Sequence, residues 1–535
     1  MTADATRIYG QVPFVEVGDP TAVDLDQDVI VVGGGHGYPQ WNGFSPWNRS
    51  GRDADFFGWF VLGIYAPDLS CTRLLSSVWP VNSIAIHPSG ELVAIGTGEY
   101  DGGYAFEGEL LIVDLATGVA TSVLSASRSV RRVEWLQDGA LQLTLAPETD
   151  EEIPESEWPK YECHVVVLRR EDWREVGARE VVITTEPFTT VPRPPPSERE
   201  QARLVLDQLV LGTNQQRQLR GRAWALTVDE SGGITAGSRS RLERWGASNG
   251  TAPVWQVELE GVCTQLMPVG PGRAIASFWG GSGDHFDDLT TDVFSVGTAE
   301  GTVAVIKHAS PALLISRSDG SLLVRDTHRL GIGRASVFSG DGRELGDLRL
   351  GAYDLFNHFF DIRGADEFLI LAGDENKTYQ NKWIAEVRQT SPGVWEENRL
   401  FPLDWESDRS LSAGPGVLLS DKTGRDLVHA GTFHHPHGLL PGNAFVVSRR
   451  YEDGGLNWLV ELDNQVTAVD AMDGKVVAVT NLGELTVIDA DTGSVLRRDI
   501  LTAAGHRLVP LSLALARPDV AYVGILDGRV IQIEI

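Results

Sequence analysis

The chain has 535 residues, 42% of them hydrophobic and 22% charged, which is ordinary for a folded globular protein and long enough for several domains or one large all-β unit. Its net charge of −29 repels phosphate backbones and anionic lipid, so nucleic acid and membrane surfaces are excluded as expected partners. Cys71, Cys163 and Cys263 lie far apart with no CxxC spacing. That excludes a disulfide framework and a cysteine zinc site, and fits a reducing compartment. The first residues carry no basic stretch followed by an apolar one, and no apolar run approaches the length of a membrane span. A cytoplasmic location is the expectation.

Taken in order, the chain falls into short strand-like runs separated by turn residues. Ile8–Val17 is extended and apolar, and residues 28–76 hold three runs around a long loop. Residues 81–124 give the clearest pattern, with strands expected at Val81–His87, Leu92–Thr97, Leu110–Asp114 and Val119–Leu124. A four-stranded antiparallel meander of this size cannot bury both faces alone and needs a similar sheet on each side. Residues 130–176 repeat the pattern. Residues 187–220 interrupt it, because PFTTVPRPPP is too proline-rich for a central strand. Ser197 with Glu200 then forms a capping box, and Leu204, Leu206, Leu209 and Val210 supply an apolar helix face.

The repeats resume after residue 220, with ambiguous boundaries between 262 and 350 and a clean copy at 465–497. The last 25 or so residues supply three strands without a fourth, and Ile8–Val17 is the expected fourth. The fold class read from this is all-β. It is a β-propeller of four-stranded antiparallel blades, seven or eight in number with ten as the upper bound. N- and C-terminal strands close the ring, and one helical insertion stands near 197–212. The whole of 1–535 is expected as a single domain, with 187–220 on the outside of the ring.

Ile84-Ala85-Ile86-His87-Pro88-Ser89-Gly90 resembles the first turn of WD40-type repeats, and Leu111–Gly118 resembles their third strand, with Val113-Asp114 where Trp-Asp would stand. Leu485–Gly493 is similar to quinoprotein-like propeller repeats. The Gly-His of the WD40 transition loop is absent, and no tryptophan docking motif is visible in the sequence. The resemblance is to a divergent bacterial β-propeller superfamily rather than to one family. It implies a scaffold, as in a component of a multi-protein bacterial system.

In such blades the loops between second and third strands open on one face. The expected long loops are Gly33–Phe57, Gly98–Gly108, Trp279–Glu300, Gly373–Lys382 and Phe433–Asn443. They carry aromatics beside charges, the composition of a protein-binding surface. Tyr38, Trp41, Phe44, Trp47, Tyr100, Asp101, Tyr104, Trp279, Asp284, His285 and Tyr379 are therefore the candidate partner-binding residues. A non-enzymatic scaffold with a protein partner and no cofactor is the leading expectation, with no oligomeric state implied.

The alternative is a propeller enzyme of hydrolase type, with carboxylates such as Asp284, Asp287 and Asp288, or a metal on His435 and His437, in a central funnel. GGGHG at 33–37 follows a strand, but Tyr38-Pro39 replaces the helix that phosphate binding requires. Asp24-Leu25-Asp26-Gln27-Asp28 lacks the glycine of a calcium loop.

Overall fold

A computed structural model of the chain describes all residues except 1, 35–59, 101–103, 154–160, 184–186, 195–197, 214–215, 248–251, 281–289, 310–311, 327–333, 351–361, 364, 375–376, 404–409, 421–423 and 435–441. Among the described residues it is built almost wholly from antiparallel sheets, with one α-helix. Among the described residues no sheet closes on itself. The chain divides into two compact units, whose described parts are Val12–Gly34 with Phe60–Leu219, and Thr2–Gln11 with Arg220–Ile535.

The first unit holds three four-stranded sheets. Sheet A spans Pro20–Ser77, sheet B spans Val81–Ser122 and sheet C spans Val130–Pro192. In sheet B three strands fall at Val81–Ile86, Leu92–Thr97 and Leu110–Asp114, within a residue of expectation, and the fourth is shortened to Ala120–Ser122. Val31, Leu62, Val81, Ile84, Val93 and Ile95 are buried between A and B. Ile112, Val133, Leu143 and Val166 are buried between B and C. The Pro-rich stretch does not leave the sheet. Thr189–Pro192 is the outer strand of C, where one side of the ladder needs no donor.

The helix spans Glu198–Leu211. Ala202, Leu206 and Val210 are its buried residues, a four-residue spacing that puts them on one face, and Leu206 and Val210 pack on Val32, Val61 and Tyr65 of sheet A. Leu204, expected on that face, is 63% exposed, because it stands two residues off the 202–206–210 line. The expected N-cap Ser197 lies outside the described residues.

The second unit begins with a six-stranded sheet D, Ala225–Ala309. Its third strand, Trp255–Gly270, runs through two half-sheets: the first part pairs with Arg239–Arg244, the second with Arg273–Trp279. The ambiguity between 262 and 350 arises there, since no turn residue marks the passage from one half to the next. Sheet E spans Ala312–Arg349 and sheet F, of three strands, spans Phe368–Leu403. Sheet G spans Ser410–Leu462 with Ile362–Arg363 added in parallel. Sheet H spans Val466–Ala503 with Thr2–Asp4 added in parallel. Sheet I spans Pro510–Glu534, and Arg7–Tyr9 pairs antiparallel with Val530–Gln532. The terminal strand expected at Ile8–Val17 is therefore real but short: Val15–Val17 is a 3₁₀ turn.

Alternation explains why these sheets stack. In H, Val476 and Ile488 face one neighbour while Val477 and Val487 face the other, so both faces are apolar. Buried clusters lie between the halves of D, between D and E, and between E and F. Others lie between F and G, G and H, and H and I. A seventh joins Tyr522 and Val530 of I to Leu226, Ile234 and Trp245 of D, with Tyr9 between them.

Side chains also lock neighbouring sheets. Asp24 accepts the Ile86 amide at 2.7 Å and Asp470 accepts the Leu515 amide at 2.8 Å, the same device in each unit. Trp458, on the outer strand of G, donates its indole N–H to the Ala490 carbonyl of H at 2.8 Å. Trp255 does the same to Thr298 across the halves of D at 2.9 Å. Tryptophan docking is thus present, although no motif for it is visible in the sequence. Its receptor in H is the Asp489–Gly493 turn. Asp489 accepts the Thr492 amide at 2.8 Å, and Gly493 takes φ +72°, where a Cβ would stand 2.6 Å from Trp458 Cβ. The Asp-x-x-Thr-Gly repeat is a turn-capping and docking device, and Asp114–Gly118 repeats the cap, with the Asp114–Thr117 bond at 2.8 Å.

Two outcomes follow. Trp458→Phe keeps most of the packing and loses the indole bond, costing about 1 kcal/mol, whereas Trp458→Ala costs about 3–5 kcal/mol in denaturant unfolding. In the first unit, burial pushes the Glu198 carboxyl up to about 7 against the pull of Arg132. The folded chain then holds a proton that the unfolded chain loses from the ordinary value of 4.5 upward, so stability falls as pH rises from 4.5 to 7. Glu198→Gln should match wild type below that window and exceed it at pH 8 by about 1 kcal/mol once solvent screening is allowed for.

Candidate functional site

Connections differ by position in most sheets. The exceptions are the long third-to-fourth connection of sheet C, from Leu168 to Thr189, and the short second-to-third connections of sheets F, H and I, from Asp374 to Lys377, Thr480 to Glu484 and Ile525 to Val530. First-to-second and third-to-fourth strands meet in tight turns such as Asp26–Val29, His87–Leu92, Asp114–Val119, Leu136–Ala140, Arg317–Ser321, Arg450–Gly455 and Asp489–Ser494. Second-to-third connections run from Gly34 to Phe60, Thr97 to Leu110, Leu145 to Glu162, Gly280 to Thr290, Asp326 to Arg334 and His434 to Ala444. Two expected loops are corrected. Thr290–Gly297 inside Trp279–Glu300 is a strand, and Gly373–Lys382 is mostly strand, because Phe368–Asp374 and Lys377–Ser391 continue one ladder almost to their turn.

The described part of this loop set in the first unit is a folded platform. Glu99–Tyr100 and Phe106–Glu107 pair as a small hairpin. The Tyr100 hydroxyl donates to Asp150 at 2.7 Å, the Asp150 amide donates to the Tyr104 carbonyl at 2.9 Å, and Phe106 N–H donates to Glu148 O at 3.2 Å. The loop of sheet B is thereby knitted to that of sheet C. Phe106 packs between Tyr100 and Tyr161 with tilted rings, each centroid 5.0 Å away. Tyr104 is 47% exposed.

Beneath this platform the start of sheet C gathers three guanidinium groups. Arg128 donates to the Ala146 carbonyl at 2.9 Å, bonds His164 Nδ1 at 2.8 Å and lies 3.9 Å from the exposed Glu148. Arg193 stands over the Tyr161 ring at 4.9 Å, and its amide donates to the Tyr161 carbonyl at 3.1 Å. Arg131 is the extra residue of a β-bulge between Val130 and Arg132, the kind of irregularity that re-aims a side chain. Burial holds the Cys163 thiol up, at about 11, against the attraction of Arg131, Arg193 and Arg128. Cys163 is an inert core residue.

The sequence-derived candidates distribute as follows. Tyr100 and Tyr104 come together on the platform. Trp279 belongs to the other unit, where its indole donates to the Ala312 carbonyl at 3.1 Å and its ring is half-buried. Tyr379 lies in the strand Lys377–Ser391. Tyr38, Trp41, Phe44, Trp47, Asp101, Asp284, His285, His435 and His437 lie outside the described residues. No group of three or more metal-ligating side chains occurs among the described residues. Sequence reading missed Arg128, Arg131, Arg193 and Tyr161: the pairing of the third and fourth strands of C sets Arg193 beside Tyr161, and Arg128 and Arg131 reach the same region from the start of the first strand.

No family model matches the chain, and no curated protein matches it. Among solved structures it is similar to BamB from Moraxella catarrhalis, at 13% identity and a TM-score of 0.34, over 60% of this chain and 87% of that one. It is also similar to a structure described as the extracellular domain of the one component system BT4673 from B. thetaiotaomicron. The identity there is 14% and the TM-score 0.38, over 96% of this chain. This chain spans 63% of that domain, under two thirds of its length.

The platform predicts a clear separation of effects. Tyr100→Phe removes the Asp150 bond and should lower stability by about 1 kcal/mol in chemical denaturation, while Leu211→Ala, at an 82% exposed position at the helix end, should leave the midpoint within error.

Proposed function

We propose that the chain is a non-enzymatic, cytoplasmic β-propeller scaffold that binds a protein partner through one loop-elaborated face. The observation carrying this reading is the elaboration of the second-to-third connections in sheets A, B, C, D, E and G, where tight turns hold most of the other positions. Rigid sheets that carry their long loops on one side are suited to holding a binding surface, and large rings such as Tyr104 bury much area at low entropy cost.

In this reading the ring is formed by seven sheets, the two halves of D and sheets E to I, and the three-sheet unit is an insertion between Gln11 and Arg220. The seventh cluster, between I and D, supports closure. So does a buried charged junction. Arg220 pairs with Glu243 and donates to the Gly528 carbonyl at 3.1 Å, while Arg529 donates to Asp527 and to Gln11, each at 2.9 Å. Both chain ends that flank the insertion meet the ring there.

The proposal divides into two tests. Joining Gln11 to Arg220 through a short Gly/Ser linker should leave 220–535 with a β-type circular dichroism spectrum and one cooperative melt; a molten product would count against the ring. Removing Gly34–Asp55 from the full chain should spare folding but abolish capture of the partner that wild type retains from a lysate of its source organism. Retained capture would sink the binding face.

A further inference from the structure

A short stretch ahead of sheet F is bonded to several sheets at once. Thr2–Asp4 and Arg7–Tyr9 add to the outer edges of H and I, whereas Ile362–Arg363 pairs in parallel with Gly416–Val417, on the opposite, inner edge of G. The approach there is close. A Cβ on Gly416 would stand 2.8 Å from Ile362 Cδ1, and Ile362 is buried. From this edge the Arg363 guanidinium passes the first strand of H, where Asp470 is 3.6 Å away, and donates to the Leu513 carbonyl in the first strand of I at 2.8 Å. On the other flank the Ser318 amide of E donates to the Ala365 carbonyl at 2.7 Å, and the Ser318 hydroxyl donates to Asp366. Arg425 of G donates to Glu367 at 2.8 Å, and the chain then enters F at Phe368. The stretch 362–367 is thus bonded to E, G, H and I and is continuous with F.

The buried clusters join each sheet to the next, F to G, G to H and H to I. Arg363 does something different, starting on G and ending on I. Nor does the carboxylate lock at Asp470 require it. In the first unit Asp24 holds the Ile86 amide in the same way, and the charge that acts on it is Asp26, another carboxylate. The junction on the other side of I is also of another kind. Arg220 and Glu243 are each 4% exposed and closed off from water, whereas the side chains of Arg363 and Asp470 are 34% and 16% exposed. An ion pair at that exposure is weak and screened by salt. The Arg363 side chain can therefore swing into water without opening the core.

We propose that residues 362–367 form an internal strap, with Arg363 as its releasable latch, which holds sheet I against sheets E to H from the inner side of the ring. Seated, the latch makes the first strands of G, H and I one body. Released, it leaves I held by the H–I cluster and by the Arg220 bond to Gly528, and the first strand of I opens first. The inner position rests on the ring reading above. The bonds of the strap do not depend on it.

Hydrogen–deuterium exchange of the full chain, followed by mass spectrometry, tests the latch. In Arg363→Met the amides of Leu511–Arg517 should exchange about tenfold faster than in wild type, while Lys475–Thr480 in H and Leu92–Thr97 in sheet B keep their wild-type rates. Arg363→Lys, which keeps one charged donor, should fall between the two. Arg388→Gln removes an exposed arginine of sheet F that faces Glu386 at 3.5 Å, and should change nothing in I. Unchanged exchange of Leu511–Arg517 in Arg363→Met, or an equal rise across the whole second unit, would overturn the strap while leaving a protected wild-type ring intact. A wild type in which Ala225–Val228 and Val520–Ile525 already exchange far faster than Lys475–Thr480 would sink the ring, and with it the inner side on which the strap lies.

Discussion

A four-stranded antiparallel sheet with two apolar faces is stable only between two neighbours, and the whole chain is arranged to satisfy that requirement. Val476 and Val477 in sheet H face opposite ways, each fully buried, and the same holds for Val487 and Ile488. Fully burying one such side chain stabilises by about 1.5–3 kcal/mol, so an uncovered face would forfeit several of these at once. The first unit meets the requirement at sheet A with a helix, whose Leu206 and Val210 lie on Val32 and Val61. The second unit meets it with sheets alone. In the proposed ring, the junction of I with D leaves no face uncovered, and the terminal strand Arg7–Tyr9 covers the outer edge of I.

Stacking fixes which faces meet but not how far each sheet slides on the next. The polar locks do that. A tryptophan whose indole N–H must reach one carbonyl, and a carboxylate that must reach one amide, tolerate little displacement. Most lie at the turns and on first strands, while Trp279, which donates to Ala312 of sheet E, sits where the Gly280–Thr290 connection begins. In sheets A, B, E and G the tight turns are at one position and the elaborated connections at another. The Tyr100–Phe106 hairpin extends that rigidity upward, because its bonds to Asp150 and Glu148 bind the loops of two sheets into one surface. Beneath it, Arg193 is held by its stacking on Tyr161 and Arg128 by three polar neighbours.

Much of this was legible in the sequence where a physical need leaves a residue-level mark. The strands of sheet B and the 465–497 copy were read correctly because tight turns demand Gly90, Gly118 and Gly493 and a capping Asp114 or Asp489. The passage through Trp255–Gly270 was not, because a strand that changes partners needs no turn residue. The tryptophan locks were missed because their receptors are backbone carbonyls, which no sequence pattern announces. Thr189–Pro192 was misjudged because a proline excludes a central strand but not an outer one. The arginine cluster was invisible for a different reason: Arg128 and Arg193 are far apart in the chain, on opposite edges of sheet C, and come near Cys163 only through the pairing of its four strands. Many of the aromatic candidates, Trp41 and Trp47 among them, lie outside the described residues.

Hydrogen–deuterium exchange across the second unit tests the proposed closure, the claim on which the scaffold account rests. If the seven sheets form a closed ring, amides of Ala225–Val228 in D and Val520–Ile525 in I should exchange only through global unfolding, with the same protection as Lys475–Thr480 in H. An open stack would show the opposite, with the strands of D and I exchanging much faster than those of H.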